Sequence, residues 1–227
     1  MIRGCRPNQT PPEQVNGYLL ADPRQPWAGS GPGNLTLRAP FEDIAAALHA
    51  EFGTSLNIWL GLKPYPPSRI ADPHAVPVPQ PTITVTGLEM TMTLADVQVT
   101  SGETLNGSIT FHNRGRTRIT GMTGATLTAG LRSQGNDHMA SQYAGTLWNL
   151  GMIIDLGSGD SRTLPLLVGT ASCLPDTSYV VPSGRYEVVA TIPFHPHRPS
   201  DQGEPGPGGQ LVVTGNRITV HERFSPA

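Results

Sequence analysis

The sequence predicts a mostly β protein: an antiparallel β-sandwich preceded by a small α+β segment. Three observations carry that expectation. From Thr82 onward apolar and polar residues alternate with period two, the repeat of a strand with one buried face. Turn signals separate the alternating runs at SGE (101), NRG (113), GSGD (157), PSG (182) and TGN (214). A helical stripe occurs once, within residues 40–52. The chain therefore divides into a small α+β segment over residues 1–62 (strand, strand, helix, strand), a Pro-rich connector over 63–81 and the sandwich over 82–227.

In the first segment, VNGYLL and NLTLR read as short strands, and residues 1–14 are polar and Pro-containing. APFEDIAAALHAEF reads as a helix with Pro40 at its first position and Glu42 and Asp43 where the helix dipole favours anions. Phe41, Ile44, Ala45, Leu48 and Phe52 form its buried stripe, His49 lies on its polar side near Glu51, and Gly53 ends it. SLNIWLGL then alternates, with Leu56, Ile58, Leu60 and Leu62 on one face and Asn57 and Trp59 on the other. The connector carries seven prolines in nineteen residues, too few amides for a central ladder, and so favours extended backbone.

Within the sandwich, LEMTMTL directs Leu88, Met90, Met92 and Leu94 one way. TLNGSITFH buries Leu105, Ile109 and Phe111, and ATLTAGL aligns Ala125, Leu127, Ala129 and Leu131. NLGMIIDL, RTLPLLV, RYEVVATI and GQLVVTGNRITVH supply the rest, for a total of about seven to nine short strands. Pro165 inside RTLPLLV predicts an edge strand. In RYEVVATI, Tyr186, Val188, Ala190 and Ile192 line the core face with the Tyr186 hydroxyl on a nearby backbone group. Arg185, Glu187, Val189 and Thr191 face outward, Arg185 and Glu187 as a solvated pair.

Composition excludes several function classes. No apolar run approaches the roughly 18 residues of a membrane-spanning helix. The net charge is −2 and the pI about 6.4, so the RGRTR cluster of Arg114, Arg116 and Arg118 does not predict nucleic-acid binding. Lys63 is the only lysine, and arginine-heavy usage with abundant Ala, Gly and Pro fits a high-GC genome. The two cysteines, Cys5 and Cys173, show no zinc spacing and suit one disulfide in an exported protein. Met1-Ile-Arg-Gly-Cys5 is too short and charged for a signal peptide, and reading Gly4-Cys5 as the end of a lipoprotein cleavage site requires a start upstream of Met1.

A resemblance adds to this reading. SGETLNGSITFHNRG (101–115), LGSGDSRTLPLLVG (156–169) and VPSGRYEVVATI (181–192) resemble the opening and closing strands of bacterial Ig-like modules, with an Asn-x-Gly turn and a Pro-x-Gly-x-Tyr strand entry. The span of about 88–193 is similar to the Ig-like domain of the intracellular proteinase inhibitor of bacilli, the BsuPI type, and to similar modules of exported high-GC bacterial proteins of unknown function. The resemblance implies an Ig-like sandwich. Only Trp148 stands where the inhibitor type carries an aromatic pair, which weakens the implied inhibition.

Candidate sites are few. His195 and His197, spaced i, i+2 in extended chain, point the same way and could share a metal ion if Asp201 or Glu204 completed the set. Trp27, in the loop QPWAGSGPG, and Trp148 are the candidate partner-binding aromatics. No G-x-S-x-G, phosphate-cradling glycine loop or Cys–His spacing appears, and Asp155 and Asp160 bracket a turn with too few ligands for calcium. No cofactor is expected. The leading expectation is a non-enzymatic accessory or binding protein of the bacterial envelope or exterior, acting through end loops at 133–146, 170–184 or 195–209. A protease inhibitor presenting one such loop is the alternative, and an enzyme of unrecognised chemistry a third.

Overall fold

The computed structural model describes residues 27–31, 34–39, 41–67, 76–145, 147, 150–174, 177–197 and 207–223. The strand expected at 15–20 lies outside them. Where the hydrophobic period switches from two to 3.6 and back, the chain builds strand, helix and strand. β1 (Trp27–Gly31) and β2 (Asn34–Leu37) pair antiparallel. α1 (Glu42–Phe52) crosses to β3 (Asn57–Leu60), which lies parallel to β2, and β4 (Lys63–Tyr65) returns antiparallel to β3. Parallel neighbours need such a crossover, and the helix supplies it.

Glu42 and Asp43 occupy the first turn of α1, and Gly53, at φ +54, closes it by donating its N–H to His49 O. Ala45 is fully buried, with Ile44 and Leu48 beside it against Leu35, Leu37, Ile58 and Leu60. His49 departs from expectation: it stands edge-on to Tyr65, ring centres 6.0 Å apart, instead of facing solvent. β4 falls where the sequence predicts connector. Pro64 is tolerated because β4 is an edge strand of the order β1-β2-β3-β4.

The larger unit contains β5 (Leu88–Leu94), β6 (Gln98–Thr100), β7 (Thr104–Asn113), β8 (Ile119–Gly124), β9 (Leu127–Ser133), β10 (Met139–Gln142), β11 (Gly151–Leu156), β12 (Ser161–Gly169), β13 (Ala171–Ser172), β14 (Gly184–Pro196) and β15 (Gly209–His221). Its strand order is β11-β8-β14-β9-β12-β7-β5, with β15 also on β14 and β10 on β9. One core holds Phe111, Phe194, Ile109, Ile154 and Ile192, all fully buried. A Cβ at Gly121 on β8 would stand 2.4 Å from the Phe194 ring, so only glycine lets β8 and β14 close over that phenylalanine.

Four expectations are corrected by the structure. The sheet is mixed, not antiparallel throughout: β12 with β9, and β15 with β6, run parallel, and hydrophobic alternation carries no information about strand direction. β12 is not an edge, since it lies between β7 and β9. β7 pairs along Ser161–Gly169, whereas β9 joins only from Leu166, so Pro165 sits where one side of the strand has no ladder to satisfy. In β14 the alternation breaks: the register with β15 shifts between Glu187 and Val189, and Val188, Val189 and Ala190 are all buried. Glu187 pairs with Arg132, directly opposite on β9, at 2.7 Å and not with Arg185.

The part of the Pro-rich connector from residue 76 onward lies along this unit. Val78 N donates to Asp137 O at 2.9 Å, Met139 N to Val76 O at 2.8 Å, and Thr82 N to Gln210 O at 2.9 Å. Asn113 pins the turns at the other end. Fully buried, its amide nitrogen donates to the carbonyls of Thr117 (2.8 Å), Leu156 (3.1 Å) and Gly157 (3.1 Å), while its side-chain oxygen accepts from Gly115 N at 2.9 Å. Asn113→Ala leaves several of these groups unpaired and is expected to lower stability by about 3 kcal/mol, read as the shift of the urea midpoint.

Candidate functional site

The two units meet in a seam organised by the chain's single lysine. Lys63 on β4 is 7% exposed, and its ammonium donates to Leu174 O (2.6 Å), Thr177 O (2.8 Å) and Ser178 O (2.9 Å) of the larger unit. A buried ammonium needs such acceptors to offset its lost hydration. Tyr179 follows the carbonyl trio, 6% exposed, its hydroxyl donating to Pro64 O at 3.3 Å and its ring 6.1 Å from that of Tyr65. Ala171 and Tyr179 thereby join the hydrophobic core of the smaller unit. Gly61, at φ +62, lets this contact close, for a Cβ there would press within 3.1 Å of Ala39 and 3.3 Å of Ala171. Much of the 170–184 loop expected to meet a partner is therefore committed to this internal contact.

A cleft of about 30 Å³ opens along the seam, room for about two water-sized groups. Arg38 and Ala39 form one wall, and Gly102, Glu103, Gly145 and Thr170 contribute to the other. The Thr170 hydroxyl fixes that wall by donating to Glu103 O at 2.6 Å and accepting from Gly102 N at 2.8 Å. Arg38 Nε is buried without a hydrogen-bond partner. The Tyr143 hydroxyl overlies Gly145, where a Cβ would approach it within 2.2 Å. Burial raises the Tyr143 pKa while the Arg38 charge acts in the opposite sense. The Arg38 guanidinium in the cleft wall offers N–H donors of the kind that hold an anionic group.

The residues singled out in the sequence do not converge on this cleft. Cys173 is a free thiol, not half of a bridge; its Sγ donates to Met139 O at 3.1 Å, and burial pushes it up to about 11. Such a thiol is unsuited to nucleophilic work. Cys5 lies outside the described residues, as do Asp201, Glu204 and Trp148. His195 is the penultimate residue of β14, its ring against Gly208, while His197 N donates to Thr120 O at 2.9 Å and its Nε2 is buried without a partner. Among the described residues no three His, Cys, Asp or Glu side chains gather closely enough to hold a metal ion. Trp27 opens β1 and does not lie in a loop. Arg114 and Arg118 are each ion-paired at 2.6 Å, to Glu89 and Asp155, and hold both carboxyls below their ordinary range. Arg38 carried no motif; its only trace in the sequence is a charge directly after the alternating run NLTL.

No known protein family and no curated protein matches the chain. Among solved structures it is similar to the β-glucosidase EmGH1 of Erythrobacter marinus, at TM-score 0.31 and 12% identity over 59% of this chain and 15% of that one. A β-glucosidase of Listeria innocua in complex with gluconolactone gives TM-score 0.28 and 10% identity over 59% and 16%. The chain thus spans about a sixth of the length of these proteins, and likeness this slight assigns neither fold nor activity. No described helix is long and apolar enough to cross a membrane.

Two outcomes test the seam. Lys63→Met strips three part-buried carbonyls of their charged donor and is expected to cost about 3 kcal/mol in urea denaturation. Burial above all, then the charge of Glu42 and the neighbouring Tyr65, pushes Tyr179 up to about 12. The folded state favours the neutral phenol, so this stabilisation is full below the unfolded value of about 10 and is lost as pH rises through the folded value. Tm should therefore fall between pH 10 and 12 more steeply in the wild type than in Tyr179→Phe, measured by thermal melts across that window.

Proposed function

We propose that this protein is a non-enzymatic binding protein: an Ig-like β-sandwich carrying a small α+β unit, with the seam cleft around Arg38 as its ligand site. The Ig-like reading is supported by Tyr186, which enters a late strand and donates its hydroxyl to Pro182 O, four residues upstream, at 2.9 Å. The binding reading is carried by one observation, the buried and unpartnered Nε of Arg38 in the wall of a cleft that both units build. An unpaired buried donor costs about 1–3 kcal/mol, a cost that an incoming acceptor can offset. We place the protein at the bacterial envelope or exterior on the strength of the Ig-like resemblance alone.

A second reading, protease inhibition, is favoured by the hairpin between β9 and β10. Residues 134–138 are exposed, yet the tip is braced: Asn136 N donates to Ser133 O at 3.1 Å, and Asp137 O and Met139 N are bound by the connector. Rigid, exposed presentation lowers the ordering cost of docking into a cleft.

Titration of labelled protein with acetate and with short peptides bearing a free C-terminus separates these readings. Cleft binding predicts saturable amide shifts at Arg38, Gly102, Gly145 and Thr170 that Arg38→Ala abolishes while the fold persists. Shifts that fail to saturate, or that Arg38→Ala leaves intact, would remove it. Inhibition instead predicts slowing of a protease by intact chain, and simple cleavage within 134–138 would remove that reading.

A further inference from the structure

Among the described residues β11 is an edge strand. It pairs there with β8 alone, over six residues from Gly151↔Gly124 to Leu156↔Ile119, without a register shift. Ala125 N donates to Leu150 O at 2.9 Å, which sets the phase of the ladder. Residues 150, 152, 154 and 156 turn their backbone groups toward β8, and Gly151, Ile153 and Asp155 present theirs to the open side. Ile154 and Leu156 are buried in the core and Met152 packs against it, so the Ile153 side chain stands on the outer face, 64% exposed. Leu147 and Leu150, the latter 60% exposed, precede it along the chain.

Open edges usually carry a device against pairing, such as a proline, a central charge or a bulge. β4 has Lys63 and Pro64, β1 has a register break beside Gly29, and β5 has Glu89 ion-paired to Arg114. β11 (GMIIDL) has no proline, no basic residue and no bulge, and its one charge, Asp155, is neutralised by Arg118 at 2.6 Å.

We propose that β11 pairs antiparallel with β11 of a second copy of this chain, about a two-fold axis through Ile153. In that register Ile153 faces Ile153 of the second copy, and Gly151 faces its Asp155. Every outward N–H then meets an outward carbonyl, giving about six inter-chain hydrogen bonds. The only acid on the strand falls opposite a glycine, so no like charges oppose each other, while the isoleucines form a cross-strand apolar pair. Met152 falls opposite Ile154 of the second copy, and the exposed Leu150 opposite its Leu156. A strand that matches itself this way satisfies the requirement of an isologous interface, in which the same patch serves both partners. With a net charge of −2 per chain, mutual repulsion is slight. The association is independent of the Arg38 cleft.

Sedimentation of the full chain from low micromolar to submillimolar concentration tests this. The mass is expected to rise from 24.1 kDa toward twice that value. Ile153→Lys should weaken the association by about tenfold or more, by setting two ammonium groups face to face. Val97→Lys, an exposed apolar position elsewhere, should leave it unchanged. Amide hydrogen exchange gives a second readout: Gly151, Ile153 and Asp155 should slow as concentration rises, whereas Met152 and Ile154 are protected throughout. A single 24.1 kDa species at every concentration, a dimer that Ile153→Lys leaves intact, or concentration-independent exchange at the outward amides would each overturn the proposal.

Discussion

The ammonium of Lys63 is the point on which the arrangement of the two units depends. A cation this buried is tolerable only where oxygen atoms replace its hydration, and the larger unit provides Leu174, Thr177 and Ser178 carbonyls within 2.6–2.9 Å. Three acceptors from one short loop fix the loop as much as the lysine, because carbonyls turned toward a common point cannot reorient independently. Tyr179 and Ala171 then complete an apolar contact that the smaller unit could not make from its own residues. The seam cleft exists because these contacts hold Arg38 opposite Gly102 and Thr170 at a fixed separation.

The larger unit rests on a different constraint, the need to satisfy polar groups where strands turn. Asn113 binds four backbone groups across two turns, and the Thr123 hydroxyl donates to Pro193 O at 2.7 Å where β8 meets β14. Ser141 does the same inside, donating to Gly169 O at 2.6 Å. These polar side chains sit in the interior because each replaces a ladder bond that irregular backbone leaves open. Apolar burial supplies the drive to collapse, and such bonds decide which strands end together.

What the sequence revealed follows from the range of each interaction. α1, β3, β5 and β7 were legible because their periodicity records burial residue by residue. Tyr186 was legible because its hydroxyl finds a partner four residues away. Lys63 was not, since its acceptors lie 111 to 115 residues downstream and nothing local distinguishes a caged lysine from a solvated one. The internal position of β12, the pairing of Glu187 with Arg132 and the burial of Val189 likewise depend on which strand lies alongside. Arg38 escaped detection for the same reason, being half of a cleft whose other half is contributed by residues beyond 100.

The borrowed residues in the smaller unit's core bear on modularity. A segment that closes its hydrophobic interior with Ala171 and Tyr179 from elsewhere in the chain cannot be transplanted as a cassette. Grafted onto a foreign scaffold, residues 27–67 would arrive with an open face and a buried lysine lacking its oxygens. Insertions and recombination junctions are thus constrained together at two distant places in the sequence, and the unit is heritable only with the loop that completes it.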